Sequence, residues 1–537
     1  MASFNLSELF ERVADAVPER IALVAHDRRV TYAELEARAN RLAHHLASAG
    51  IGRGDHVGLQ LLNGTEYVEG MLACYKLRAV PVNVNYRYVE RELEHLFTDA
   101  DLVGLIFHRR FGPAVAAVVP KIPELRHLMF VEDDSGEAVP DGSIEYESAL
   151  AAHSADRTFE GRANDDLYLC YTGGTTGMPK GVMWTHEDIF FGALGGGDPT
   201  RTSPITAPEQ IVERIPETGA VQLVTPPLMH VSGHWSTFAT LFAGGRAVYG
   251  APGAWDPAAT LDLIQAERAN FVTLVGDAMV RPVVDLVLAN PDRWDLSSLF
   301  VFASGGALCS STTKELARQA LPNVMIIDGY GSTETGVVGN ERREPGGAAP
   351  SSAHFSVDDR TAVLDDDFKA VAPGSGAVGR LARRGRLPIG YYNDPEKSAA
   401  TFVEVEGQRW AMSGDFAHVE ADGSIVLHGR GSLAINTGGE KVFPEEVEAT
   451  LLSHPGVQDV LVVGVPDERW GERVVAVVAP RAGASFTLDD LQARCRTELA
   501  GYKMPRELVL VEKIQRGPNG KADYRWAKEQ ALAAQDA

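Results

Sequence analysis

Short apolar runs at residues 57–62, 80–84, 102–107 and 128–131 alternate with stretches of helical periodicity, and runs at 221–225, 271–275, 299–303 and 324–328 continue the pattern. Runs of this length are too short for buried helices, and a strand that is apolar on both faces must be covered on both sides. The alternation therefore predicts an α/β fold, mostly parallel sheets flanked by helices. One helix is set by its own caps. Thr31 and Glu34 form a capping box, Leu35, Ala39, Leu42, Ala43 and Leu46 share one face, and Gly50 closes the element.

At 537 residues the chain exceeds one ordinary domain, and roughly two to four compact units are expected. From about Ala362 the pattern changes to short alternating strands, with residues 416–419 and 424–427 joined through Asp422-Gly423, a hairpin signal. These predict a small β unit closing the large domain. Beyond Gly429-Arg430 an α+β unit begins, with helices at 445–452 and 488–499 and strands at 460–463 and 474–478. The expected domains are 1–431 and 432–537. Residues 192–219, rich in Gly, Pro, Thr and Ser, are expected to form a surface insertion or lid.

The charge balance, 50 Lys+Arg against 73 Asp+Glu for a net −23, argues against a nucleic-acid binder. Cys74, Cys170, Cys309 and Cys495 are scattered without close pairs, which fits a reducing compartment and shows no zinc spacing. Glu8, Glu11 and Asp15 stand where a signal peptide would be basic, and no apolar run reaches membrane-spanning length. A cytoplasmic protein is expected.

The strongest chemical signal is YTGGTTGMPKG at residues 171–181, which follows an apolar run at 167–170. Gly173, Gly174 and Gly177 allow backbone N–H groups to converge on an anion, Thr172, Thr175 and Thr176 add hydroxyl donors, and Lys180 adds charge. Such a loop suits polyphosphate. It is not a Walker A loop, because no Gly-Lys-Ser/Thr follows at the required spacing. DGYGSTETG at 328–336 places Thr333 and Glu334 in a glycine turn, where a carboxylate beside a hydroxyl suits phosphate-bound Mg²⁺. Ser413-Gly414-Asp415 and Gly429-Arg430 bracket the hairpin, and an Asp and an Arg there could share a ribose. In RGPNGK at 516–521 a Pro/Asn/Gly turn presents Lys521. The last three would each pass for ordinary surface features in isolation; their company gives them weight.

Other patterns lead nowhere. His230 and His234 are spaced as helical zinc ligands could be, but no Glu follows the first and Ser232-Gly233 disfavour a helix. LGGGD at 194–198 lacks the serine of a carrier attachment site. No G-x-S-x-G elbow occurs.

In this order and company, the segments resemble the adenylate-forming superfamily of acyl-CoA synthetases, luciferases and peptide-synthetase adenylation domains. The resemblance spans nearly the whole chain, adding VTYAELEARANRLAHHL from Val30, GYYNDPEKSAATF from Gly390 and INTGGEKVFPEEVEA from Ile435. It implies ATP, Mg²⁺ and coenzyme A, with residues 171–181 around the phosphates. Gly305, Gly306, Ala307 and Asp328-Gly329-Tyr330 would line the nucleotide, Asp415 and Arg430 the ribose, and Glu334 with Thr175 the metal. Lys521 would be the adenylation lysine, Gly438-Gly439-Glu440 would face the site when coenzyme A reacts, and His230 would gate the acyl pocket. Gly173 stands where the family usually has serine, and Ser432 at the hinge where Asp or Lys is commoner.

GDAMVRPVVDL from Gly276, GRGSLAINTGGEKV from Gly429 and GKADYRWAKEQ from Gly520 are similar to bacterial synthetases for steroid side-chain or long-chain carboxylates. Small residues Ser232, Gly233, Gly276, Ala303, Ser304 and Gly305 would leave room for a bulky apolar acid, although Gly305 could instead serve its backbone. The expected chemistry is ligation of a carboxylic acid to coenzyme A. Transfer to a carrier-protein thiol, oxidation of the adenylate, a short or aromatic acid, and a non-catalytic binding protein are the rival expectations.

Overall fold

A computed structural model describes residues 3–534 except 173–177, 199–201, 252, 254, 308, 344–353, 438–439, 468–470, 497–498, 500 and 517–521; the side chains of residues 430, 432, 436, 440 and 441 also lie outside the description. The capping box forms as the sequence predicts. Glu34 N donates to Thr31 Oγ1 (3.1 Å), Thr31 N donates to Glu34 Oε2 (2.8 Å), and the helix Tyr32–Ser48 follows. Each such cap is worth about 1 kcal/mol. Leu35, Ala39, Leu42, Ala43 and Leu46 are fully buried, and Gly50 takes the left-handed turn at φ 76°.

Two parallel sheets carry the large unit. One runs Val80–Asn83, His56–Gln60, Leu102–His108, His127–Val131, Ile144–Glu145, every pairing parallel. The other has a parallel centre in the order Arg246–Tyr249, Val221–Val224, Phe271–Leu274, Val301–Gly305, Met325–Ser332. Ligands of such sheets gather outside the carboxyl ends of the strands, because loops there can vary without disturbing the packed layers.

The expected β unit is not a separate sheet. Met325–Ser332 turns back as Gly336–Arg343, which pairs with His354–Val357, which pairs with Ile425–Arg430. Hydrogen bonding thus continues from the parallel core into the antiparallel strands, and an otherwise open edge is paired. The hairpin Asp415–Val419 to Ile425–Arg430 forms, with Gly423 at φ 85° in its turn. At Gly431–Leu433 a short 3-10 turn leads out of this sheet, and Ile435–Thr437 enters another.

The C-terminal unit follows from side-chain alternation. Val457–Asp467 and Gly471–Pro480 pair antiparallel, sending Val460, Val462, Val474 and Val478 to one core with Val447, Leu451 and Leu491. Leu461, Val463, Val475 and Val477 face the opposite core with Ala527 and Ala531 of the helix Tyr524–Ala533. Period-two strands buried on both faces give two cores around one sheet.

The segment 192–219, expected as a surface insertion or lid, is largely exposed from residue 202 to 218, while Leu194, Ile205 and Ile211 anchor it in the main core and a helical turn spans Gln210–Glu213. One sequence expectation fails. Ser232 and Gly233 lie inside the helix Val231–Phe242. Propensity loses to packing there, because a Cβ on Gly233 would stand 2.5 Å from the Pro227 carbonyl, so only glycine lets the helix approach that chain.

Candidate active site

The segment expected to hold phosphate is flanked by two paired strands. Leu167–Thr172 pairs antiparallel with Lys180–Thr185, with Thr172 opposite Lys180 at the mouth, and Gly390–Tyr391 adds a third strand. Residues Gly173, Gly174, Thr175, Thr176 and Gly177 lie outside the described residues, so the structure places the frame of the loop. Lys180 Nζ is ion-paired with Asp394, which also caps the helix Pro395–Thr401 through Lys397 N (2.9 Å). The lysine charge is therefore already countered from within the chain.

Asn83, at the carboxyl end of its strand, clamps this hairpin. Tyr171 N donates to Asn83 Oδ1 (2.7 Å), while Asn83 Nδ2 donates to the carbonyls of Tyr171 (2.8 Å) and Met229 (2.7 Å). One buried amide thus fixes the hairpin against the residue preceding His230. His230 is the N-cap residue of the helix Val231–Phe242. His234, in its first turn, lies between Tyr168 Oη (3.0 Å) and Tyr67 Oη (3.1 Å), and burial pushes its pKa down to about 3. It is a neutral core histidine. Among the described residues no group of three or more His, Cys, Asp or Glu could hold a metal ion by itself.

Thr333 and Glu334 occupy the turn between Met325–Ser332 and Gly336–Arg343. Trp184 Nε1 donates to the Thr333 carbonyl (2.9 Å), and Tyr391 Oη donates to Glu334 Oε1 (2.8 Å). Both partners belong to the hairpin sheet, so the acidic turn is bound beside the phosphate-loop frame. Sequence reading missed Asn83, Trp184, Tyr391 and Asp394. Tyr391 and Asp394 stand in the quoted GYYNDPEKSAATF segment, whereas nothing local marks Asn83 or Trp184.

Asp415 meets Tyr330 across the two parts of the large sheet. Tyr330 Oη (2.5 Å) and Ser413 Oγ (2.6 Å) both donate to Asp415 Oδ2, and Arg430 lies opposite Asp415 in the backbone register. The Asp328 side chain does not join this group. Its carboxylate is buried against Lys314 Nζ (3.0 Å), which also donates to Glu341 Oε2 (2.5 Å), and Arg343 Nε holds Glu341 (2.8 Å). Burial pushes Asp328 up to about 6 despite Lys314. Any contact of Asp328 with a nucleotide would come from its backbone.

Gly305 ends the strand Val301–Gly305 opposite Gly329, and Gly306 follows at φ 82° with Ala307 after it. A Cβ on Gly305 would stand 3.2 Å from the Gly329 carbonyl, a tight approach between neighbouring strands, and the left-handed backbone belongs to Gly306. Gly438, Gly439 and Lys521 lie outside the described residues, as do the side chains of Glu440 and Arg430. The backbone of Arg516 bridges to Ala522, which brackets the segment 517–521.

The arrangement offers an anion-loop frame, a carboxylate turn and a hydroxyl-accepting Asp at adjoining strand ends. Residues 10–392 match the AMP-binding enzyme family, and residues 446–521 match the AMP-binding enzyme C-terminal domain. The chain is 47% identical over 539 residues to the 3-oxocholest-4-en-26-oate--CoA ligase of Rhodococcus rhodochrous, covering 98% of this chain and 96% of that protein. It is 46% identical over 532 residues to the medium/long-chain-fatty-acid--CoA/3-oxocholest-4-en-26-oate--CoA ligase of Mycolicibacterium smegmatis, with 98% and 96% covered. Among solved structures, the anthranilate CoA ligase AuaEII in complex with anthranoyl-AMP has the same fold, with a TM-score of 0.85 at 24% identity, covering 100% of this chain and 99% of that one. With its large α/β domain and smaller C-terminal α+β domain, this chain belongs to the AMP-binding enzyme family.

Proposed function

We propose that the protein is an ATP-dependent acyl-CoA synthetase that activates a long-chain or steroid side-chain carboxylic acid through an acyl-adenylate. The observation that carries this reading is the joining of three distant parts of the chain beside one set of strand ends. Tyr391–Glu334, Trp184–Thr333 and Tyr330–Asp415 hydrogen bonds tie the loop frame, the acidic turn and the hairpin together.

A carboxylate resists attack because its charge is delocalised. In the first half-reaction one carboxylate oxygen attacks the α-phosphorus, the bond to the bridging oxygen breaks, and pyrophosphate leaves. Thr172, the backbone of 173–177 and Lys180 receive the polyphosphate; Gly305, Gly306, Ala307 and the backbone of 328–330 border the base; Asp415 and Arg430 take the ribose hydroxyls. Lys521 neutralises charge between the carboxylate and the α-phosphate, which is electrostatic preorganisation. The Glu334 carboxylate, in one turn with Thr333, fits Mg²⁺, which favours few protein oxygens; Thr175 would be the further ligand, and the ion would supply charge neutralisation on the phosphates. In the second half-reaction the coenzyme A thiol, losing its proton, attacks the acyl carbon and AMP leaves. The domains 1–431 and 432–537 turn about Ser432, exchanging Lys521 for Gly438, Gly439 and Glu440. His230, capping the helix beside the hairpin, gates the acyl side.

The relatives' names motivate the substrate class, and four buried free cysteines fit a reducing cytoplasm. Among the described residues no helix is long and apolar enough to cross a membrane. The test is pyrophosphate release with ATP across steroid side-chain, long-chain, aromatic and short acids, followed by discharge onto free coenzyme A. Highest kcat/KM for a large apolar acid is expected; preference for acetate or benzoate would overturn the substrate class.

A further inference from the structure

The segment 390–394 reaches both Lys180 and Glu334, the charged groups assigned above to the polyphosphate and its metal. Gly390 lies opposite Met183 and Tyr391 opposite Val182 in the hairpin sheet, and Tyr392 N donates to the Gly181 carbonyl (2.8 Å). From there Tyr391 Oη turns to Glu334 Oε1 (2.8 Å), whereas Asp394 receives Lys180 Nζ. The segment is anchored on its other side. Tyr392 Oη donates to Asp101 Oδ2 (2.7 Å), Asn393 Nδ2 to the Asp99 carbonyl (3.0 Å), and Tyr171 Oη to Asp99 Oδ2 (2.7 Å). Asn393 stands at φ 52°, left-handed backbone that asparagine tolerates better than most residues, and the chain turns there into the helix Pro395–Thr401.

The two oxygens of Asp394 have separate partners. Oδ1 accepts from Lys397 N (2.9 Å), the capping bond of that helix, while Oδ2 accepts from Lys180 Nζ. Capping needs an oxygen and no charge, since asparagine caps a helix as well as aspartate does. The helix therefore has no need of the Asp394 charge; Lys180 does. Hydrogen bonding to Lys180 holds the Asp394 carboxyl below its usual range, so it is ionised at neutral pH. The pair is not sealed from water, because the Lys180 side chain is 40% exposed and that of Asp394 22%. Ion pairs this open are weak, and a polyphosphate with several negative charges can draw the lysine away from a single carboxylate.

We propose that Asp394 is a positioning residue that holds Lys180 while no polyphosphate is bound, yields it to ATP, and takes it back as pyrophosphate leaves. The proposal rests on the assignment of Lys180 to the polyphosphate in the function given above. Since the pair must open before Lys180 can meet a phosphate, Asp394 weakens the hold on ATP and on pyrophosphate alike. Its benefit falls on the product side, where it keeps the first product from lingering.

The experiment measures dissociation constants of inorganic pyrophosphate and of ATP for the full-length enzyme by calorimetry, with Mg²⁺ and without acid, so that nothing turns over. Asp394→Asn keeps the capping oxygen and removes the charge. It should bind both ligands about two- to fivefold more tightly than the wild type, the scale of a partly exposed ion pair. Lys180→Gln should bind both more weakly, and adding Asp394→Asn to Lys180→Gln should change neither constant further. Unchanged constants in Asp394→Asn would overturn the proposal; so would weaker binding, which marks a residue that serves the framework alone. Equal tightening in the Lys180→Gln background would overturn it as well, because the carboxylate would then act by general repulsion and not through Lys180. Lys180→Gln separates the two readings: if it weakens both ligands while Asp394→Asn does nothing, the exchange alone fails, and if it leaves both constants unchanged, the assignment of Lys180 fails with it.

Discussion

The two sides of the candidate site are held in different ways. On the large-domain side, Tyr391, Trp184, Tyr330 and Asn83 tie neighbouring strands with hydrogen bonds of 2.5–2.9 Å, so the loop frame, acidic turn and hairpin cannot shift independently. On the C-terminal side, contact with the large domain among the described residues includes one partly exposed rim pair, Arg481 with Asp285 (3.8 Å), and Phe443 packed on Phe416 (5.7 Å) and His428 (5.6 Å). A surface that is mostly preorganised is joined to one that can let go, as a two-step reaction on one site requires.

Breaking the mobile side chemically should give the largest effect. Lys521→Ala is expected to lose about two to three orders of magnitude in adenylation, the usual worth of one preorganised charge donor, while thioester formation from supplied acyl-adenylate survives. Equal losses would contradict a domain that brings different residues to each step. Freezing the mobile side comes next. Ser432→Pro, by fixing φ in the turn Gly431–Leu433, should spare adenylation and slow thioester formation by about tenfold or more; unchanged overall turnover would move the pivot elsewhere.

The rigid side can be probed through acid. His234 is neutral when folded, with a pKa near 3, against an unfolded value near 6.5. Its contribution is complete above the unfolded value, and as pH falls through that window the unfolded chain takes up a proton that the folded chain refuses. Stability should therefore fall by about 1.4 kcal/mol per pH unit for this one group, or about 2 kcal/mol by pH 5. Denaturant unfolding of His234→Gln should show a shallower acid limb by one proton; an identical slope would mean the imidazole is not held neutral. The smallest effect belongs to Tyr391→Phe. Losing one hydrogen bond to Glu334 should cost about 1 kcal/mol, seen as a roughly fivefold loss in kcat/KM for ATP with the acid KM unchanged.

Much of this was legible in the sequence because its causes are local. The capping box at Thr31 and Glu34, the apolar runs, and Asp422-Gly423 at the hairpin turn each act within a few residues, and all form. The turn at Thr333 and Glu334 between two strands is marked by residue type in the same way. The rest depended on partners far along the chain. Gly233 is needed where its helix passes the Pro227 carbonyl, Leu194, Ile205 and Ile211 anchor the segment 192–219 in the main core, and the Asp328 carboxylate is claimed by Lys314 of another element. Asn83 carries no local signature at all; only the fold brings Tyr171 and Met229 to it.

In this mechanism a mixed anhydride with AMP lies between acid and thioester, and a two-stage incubation detects it directly. Wild-type enzyme given ATP and a large apolar acid without coenzyme A should accumulate enzyme-bound acyl-adenylate with one pyrophosphate released per adenylate. Adding coenzyme A should then convert it to acyl-CoA and AMP without further ATP. Release of ADP and phosphate in the first stage, or an adenylate that coenzyme A does not discharge, would contradict the account.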